Sequence, residues 1–184
     1  MTDLLIVIDM QRDFVSGALG RPEARAITPA VDARIRRAKK EGTPVVLTLD
    51  THETNYMDTR EGRFLPVPHC IRDTQGWTLE PEIAAECTPD MMSFEKPTFG
   101  STELCGYVCA LAEKKNAPEG RGLTVELCGV CTDICVVSNA MLIKTALPEA
   151  DLVVDASLCA GVTPQKHEAA LETLRSCQIE VKAG

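Results

Sequence analysis

The stretch Thr124-Val125-Glu126-Leu127-Cys128-Gly129-Val130-Cys131-Thr132-Asp133-Ile134-Cys135 constrains this chain more than any other. It opens as a short apolar strand, passes a glycine at the strand end, and meets a helix start at Thr132 or Asp133. Val136, Val137, Ala140, Met141 and Ile143 then follow at roughly helical spacing. A cysteine in a first helical turn sits among backbone N–H groups without intrahelical partners, in a positive field. That placement lowers a thiol's pKa and supplies amides for an oxyanion. The competing assignment for Cys135 is a small buried apolar residue, the commonest fate of a free cysteine.

Other segments repeat the strand–helix alternation. Leu4 to Ile8 is a continuous apolar run that ends in Asp9, as a strand covered on both faces would. Thr28-Pro29 reads as an N-cap followed by proline at the first helical position, opening a helix that Gly42 stops. Pro44 to Leu49 is a second buried strand, ending in Asp50. Thr51 to about Pro97 loses periodicity apart from a short helix over Pro81–Glu86 and a strand-like Met91–Glu95; a long irregular segment of this kind is usually functional. Further on come a helix over Ser101–Lys115, strand Leu123–Leu127 and its helix through Ala146, and strand Asp151–Asp155. A helix from Pro164 to about Cys177, capped by Thr163, precedes Ile179-Glu180-Val181 at the sheet edge. This order predicts a three-layer α/β/α fold with a mostly parallel central sheet. One domain over residues 1–184 suits the length, with the 51–97 segment as an insertion.

Composition narrows the function. A net charge of −8 argues against a nucleic-acid partner, and no apolar run is long enough to span a bilayer. Met1-Thr2-Asp3 leads straight into the first strand without a signal-peptide pattern, and nine cysteines, an odd number, suit the reducing cytoplasm better than a disulfide framework. Cys128, Cys131 and Cys135 lack the second CxxC-like pair of a structural zinc or iron–sulfur site.

Two polar groups stand at strand ends. Asp9, Lys96 and Cys135 together could supply a base, a cation and a thiol nucleophile. Taken singly, Asp9 could equally cap the turn at Gln11-Arg12-Asp13, and Lys96 could be a solvated loop side chain. The second group is Asp50, His52 and His69, with Glu61 as an addition. Asp50 and His52 are two residues apart on an extended strand end and point to the same side. One carboxylate and two imidazoles form a familiar first shell for zinc or iron, although ordinary loop roles for the histidines stay open.

Asp9 with Gln11-Arg12-Asp13-Phe14, Asp50-Thr51-His52-Glu53, Pro66-Val67-Pro68-His69-Cys70, Lys96-Pro97-Thr98-Phe99 and Gly129 to Cys135 together resemble a nicotinamidase of the isochorismatase-like cysteine hydrolase superfamily, over essentially the whole chain. The resemblance implies Asp9, Lys96 and Cys135 as catalytic triad, and Asp50, His52 and His69, with Glu61 as a candidate fourth ligand, around a divalent metal. Zinc would be the usual ion, with Fe2+ or Mn2+ as alternatives. It further implies a cis peptide at Val130–Cys131, an oxyanion hole from the amides of Cys131 and Cys135, and substrate walls drawn from Phe14, Leu19, Phe64, Phe99 and Val130. The implied reaction converts nicotinamide, or an analogue such as pyrazinamide, to the acid and ammonia through a cysteine thioester, feeding NAD salvage. A homo-oligomer is left open.

The chain also departs from the pattern. Thr51 replaces a tryptophan common between the first two ligands, Leu65 replaces an aromatic, and Cys131 stands where a small residue is frequent. The rival functions are another small-amide or carbamoyl hydrolase of the superfamily, and a non-enzymatic metal or redox protein built on the cysteine cluster.

Overall fold

The computed structural model describes residues 2–182. Six parallel strands form one sheet in the order β3-β2-β1-β4-β5-β6. The strands are β1 (Leu4–Ile8), β2 (Val45–Asp50), β3 (Met92–Lys96), β4 (Thr124–Val130), β5 (Asp151–Ala160) and β6 (Glu180–Lys182). The helices are α1 (Arg12–Val15), α2 (Pro22–Glu41), α3 (Arg60–Phe64), α4 (Pro81–Glu86), α5 (Thr102–Lys114), α6 (Val137–Ala146) and α7 (Pro164–Ser176). α2 packs with α1 and α4 as one layer, and α5, α6 and α7 form another. β1 is buried at every position, as its unbroken apolar run requires. Among the described residues no helix is long and apolar enough to cross a membrane.

The helix expected to begin at Thr28-Pro29 begins instead at Pro22, with Arg21 as its N-cap residue. Pro29 lies inside α2, and Thr28 is buried with its hydroxyl donating to the Ala24 carbonyl at 2.9 Å. A Thr-Pro pair looks like a helix start because proline's fixed φ suits the first turn. The earlier proline is the true start, and packing of Val31, Ile35 and Ala38 in the core holds the helix through the later one. Gly42 does end the helix, in the left-handed conformation at φ 69°.

The 51–97 segment is less irregular than its sequence suggests. Besides α4 and the expected strand, which is the edge strand β3 of the main sheet, it carries a 3-10 turn at Tyr56–Asp58 and the short helix α3. β4 and β5 also run further than their apolar cores indicate. Their register shifts between Leu127 and Gly129, so Gly129 pairs with Cys159 and β5 reaches Ala160. Gly129 has φ 112°, and a Cβ there would collide with the Ile8 carbonyl oxygen. Only glycine lets β4 pass β1 that closely.

The register brings the polar strand ends together. Ile8 pairs with Thr48 and Gly129, and Asp50 pairs with Lys96. Asp9, Asp50, Lys96 and the Cys131–Cys135 turn therefore share the carboxyl edge of the sheet. There the chain order reverses between β2 and β4 on either side of β1, the place where open α/β sheets form ligand crevices.

Candidate active site

Asp9 occupies the turn out of β1 with φ 49°, uncommon for a residue with a side chain. It is wholly buried. Thr48 Oγ1 donates to Asp9 Oδ1 at 2.6 Å, and Asp9 Oδ2 lies 2.7 Å from Lys96 Nζ. That approach is not aligned as a directed hydrogen bond, so Oδ2 keeps a lone pair for another donor. Lys96 is only 1% exposed, and its ammonium also donates to Cys135 Sγ at 3.4 Å and to Asp50 Oδ1 at 3.3 Å. Lys96 is thus a buried cation among three anionic or potentially anionic groups, not a solvated loop side chain.

Burial and the nearby charges set the protonation states. Burial disfavours the Lys96 ammonium, but Asp9, Cys135 and Asp50 outweigh it and raise its pKa, keeping it charged. Burial raises the Asp9 pKa against the opposing pull of Lys96. The Cys135 thiol is pushed well above its ordinary value by burial and by the Asp9 charge, with Lys96 acting in the other direction. The lowered thiol pKa expected from a helix N-terminus is therefore not what the resting site has. Thr132–Val136 forms a π-helical turn ahead of α6, and burial of the sulfur, with the Asp9 charge second, raises the thiol pKa there. The resting state is a thiol next to a carboxylate and an ammonium. The Val130–Cys131 peptide is cis.

The second group lies against the first. Nitrogen and carboxylate oxygen atoms of Asp50, His52, Glu61 and His69 all fall within 4.8 Å of one another. His52 Nε2 is 3.0 Å from Asp50 Oδ2 and 3.7 Å from Glu61 Oε1; His69 Nε2 is 3.5 Å and 3.9 Å from the same two atoms. Zinc bonds of about 2.1 Å in tetrahedral array place donor atoms about 3.4 Å apart, so the set is close to a first shell already. His69 Nδ1 lies 2.8 Å from the Val67 carbonyl, which accepts from it in the tautomer that leaves Nε2 bare for a metal. Burial and the Asp50 charge raise the Glu61 pKa, a crowding of carboxylates that a cation relieves. The donor set therefore fits a divalent metal. Among the described residues no cysteine belongs to this group, and all nine are free.

An inner chamber of about 80 Å³ joins the two groups, and Phe14, Leu19, Phe99, Asp50, His69 and Cys135 all line it. Glu61, Leu65 and Cys131 line it as well. Phe14 meets His69 edge-on at 5.5 Å between ring centroids. Phe64, expected as a wall, is 76% exposed and lines an outer groove of about 610 Å³, with the Arg60 guanidinium 4.9 Å over its ring. Val130 is buried and belongs to neither lining.

Two residues outside the triad and the metal-donor group also shape the site. Gln11 is fully buried and ties two strand ends together. Its Nε2 donates to the Asp50 and Trp77 carbonyls, and its Oε1 accepts from Asp50 N at 2.8 Å. Tyr56 packs on both imidazoles, at 4.8 Å from His52 and 5.1 Å from His69, and donates from its hydroxyl to the Leu65 carbonyl. Tyr56 is one of two tyrosines and lies between the two ligand motifs, which was the available signal.

The isochorismatase domain profile matches residues 3–183. The chain belongs to the isochorismatase family. It is 29% identical over 150 residues to the uncharacterized isochorismatase family protein PncA of Bacillus subtilis (strain 168), covering 77% of this chain and 78% of that one. Among solved structures, the pyrazinamidase of Pyrococcus horikoshii in complex with zinc aligns with a TM-score of 0.80 and 29% identity, over 98% of each chain. The nicotinamidase/pyrazinamidase PncA of Bacillus subtilis aligns with a TM-score of 0.82 and 26% identity, over 100% of each. The fold and hydrolase class of this isochorismatase-family chain are those of nicotinamidase-like enzymes.

Proposed function

We propose that this family member is a nicotinamidase: it hydrolyses nicotinamide, or a close analogue such as pyrazinamide, to the acid and ammonia. The observation that carries the proposal is one ammonium, Lys96, bordering Asp9, Cys135 and the metal-donor residue Asp50 within 3.4 Å. Cys135 and three of the four metal-donor residues, Asp50, Glu61 and His69, also line one chamber. Two solved relatives are named pyrazinamidase or nicotinamidase, and one of them holds zinc.

Asp50, His52, His69 and Glu61 would hold the divalent metal, which when bound supplies a Lewis-acidic anchor for a ring nitrogen of the substrate. The remaining chemistry falls to the chain. Asp9 accepts the Cys135 proton, a transfer aided by its raised pKa. The sulfur attacks the carboxamide carbon, its charge after proton loss being balanced by Lys96 at 3.4 Å. The amides of Cys131 and Cys135 hold the tetrahedral oxyanion. Asp9 returns the proton to the departing nitrogen, and ammonia leaves a Cys135 thioester. A water deprotonated by Asp9 then attacks the thioester, releasing the acid and regenerating the thiol. Nicotinic acid released in this way would enter NAD salvage.

The test is ammonia release by zinc-loaded protein from nicotinamide, pyrazinamide and an N-carbamoyl amine. The proposal expects turnover of the two ring amides together with stoichiometric metal. Turnover of the carbamoyl compound alone, by protein that holds no metal, would assign the chain to another amidase of the family.

A further inference from the structure

Arg21 lines the inner chamber with Cys131 and Cys135, and neither triad nor metal group includes it. It is the N-cap residue of α2, and its Nη1 donates to the Val162 carbonyl. Val162 N in turn donates to Asp133 Oδ1 at 2.8 Å, and Asp133 lies in the turn between Cys131 and Cys135. The guanidinium is therefore tethered to the loop that carries the nucleophile. Among the described residues no carboxylate lies within ion-pair distance of Arg21. Its charge is felt at the Cys131 thiol, where it opposes the burial and the Asp133 charge that push that thiol up to about 12.

An arginine lining a ligand chamber, held by a neutral carbonyl and paired with no acid, is a receptor for a planar anion. The proposed substrate is neutral and its product is a carboxylate, formed at Cys135. We infer that Arg21 binds the carboxylate of the acid product, so the site holds the acid more tightly than the neutral amide and is subject to product inhibition. This inference rests on the amide-hydrolase reading above. In the bound acid the remaining Arg21 N–H groups face the new carboxylate oxygens, while the aromatic ring lies between Phe14, Leu19 and Phe99.

The experiment compares zinc-loaded wild type with Arg21→Gln, which keeps a donor for the Val162 carbonyl, and with Arg21→Lys, which keeps the charge. Initial rates on nicotinamide with added nicotinate give the ratio of the acid's inhibition constant to the amide's KM. Arg21→Gln is expected to raise that ratio about tenfold and Arg21→Lys by less, since a charge-assisted contact is worth about a factor of ten or more. An unchanged ratio in Arg21→Gln overturns the inference. If the wild type does not hydrolyse nicotinamide, the proposed function fails, and calorimetric titration of nicotinate into the same proteins still decides the point. Tighter nicotinate binding by wild type than by Arg21→Gln supports carboxylate recognition, and equal or undetectable binding in both overturns it.

Discussion

Lys96 Nζ stands 3.3 Å from Asp50 Oδ1, so a single ammonium borders both the thiol–carboxylate pair and the metal-donor group. Parallel pairing makes this contact, because Asp50 and Lys96 are register partners at the ends of β2 and β3. The ammonium offsets two buried carboxylates, Asp9 and Asp50, that would otherwise repel each other. It also limits the negative charge facing a metal. The two chemistries are therefore electrostatically linked.

Replacing Lys96 by Met should separate these roles. Asp9 and Asp50 lose their shared counter-charge, which costs on the order of 3 kcal/mol of stability. Turnover should fall by at least about 100-fold, since Asp9 would hold its proton. Metal content should stay at or above the wild-type level, because a competing cation has gone. Denaturant melts, ammonia assays and metal analysis on one preparation check all three, and metal lost together with activity would contradict the placement of Lys96.

His69→Ala removes a donor whose orientation is fixed by the Val67 carbonyl. Wild-type protein should gain about 2.7 kcal/mol of stability at a free metal concentration about 100 times the dissociation constant. The variant should show little of that gain. Thermal melts with and without added zinc measure the difference, and equal shifts in both proteins would place the metal elsewhere.

Away from the site, Arg34 Nε and Nη2 donate to the two carboxylate oxygens of Glu126 at 2.7 and 2.9 Å, and both side chains are largely buried. Burial raises the Glu126 pKa, but the hydrogen bonds and charge of Arg34 prevail and lower it. A lowered folded-state pKa contributes stability that is complete above the unfolded value of about 4.3 and is lost as pH falls through the folded value. Glu126→Gln should therefore cost on the order of 3 kcal/mol at neutral pH, and the gap to wild type should narrow as pH falls below about 4. Urea titrations at a series of pH values read the gap, and one that stays constant into acid would refute the pairing.

Much of this arrangement was legible from residue patterns. β1 shows as five consecutive apolar residues, and Asp50, His52 and His69 stand out because histidine occurs only three times. What escaped depends on contacts distant in sequence. Gln11 stands in the motif after Asp9, but its role shows only once β2 places Asp50 beside it. Arg21 looks like a surface cation until the loop before α7 reaches it. The resemblance puts Phe64 in the substrate wall, and α3 leaves it largely exposed over the outer groove. The extra residues of β5 could not be foreseen because a register shift leaves no periodic signal.

The central claim is that Cys135 is the nucleophile served by Asp9 and Lys96. Its most direct test is rapid acid quench of zinc-loaded enzyme turning over nicotinamide, followed by mass spectrometry of the peptide that contains Cys135. A nicotinoyl thioester on Cys135 is expected in wild type, with neither adduct nor ammonia release in Cys135→Ala and its metal still bound. Sustained hydrolysis by Cys135→Ala, or an adduct on another residue, would contradict the claim.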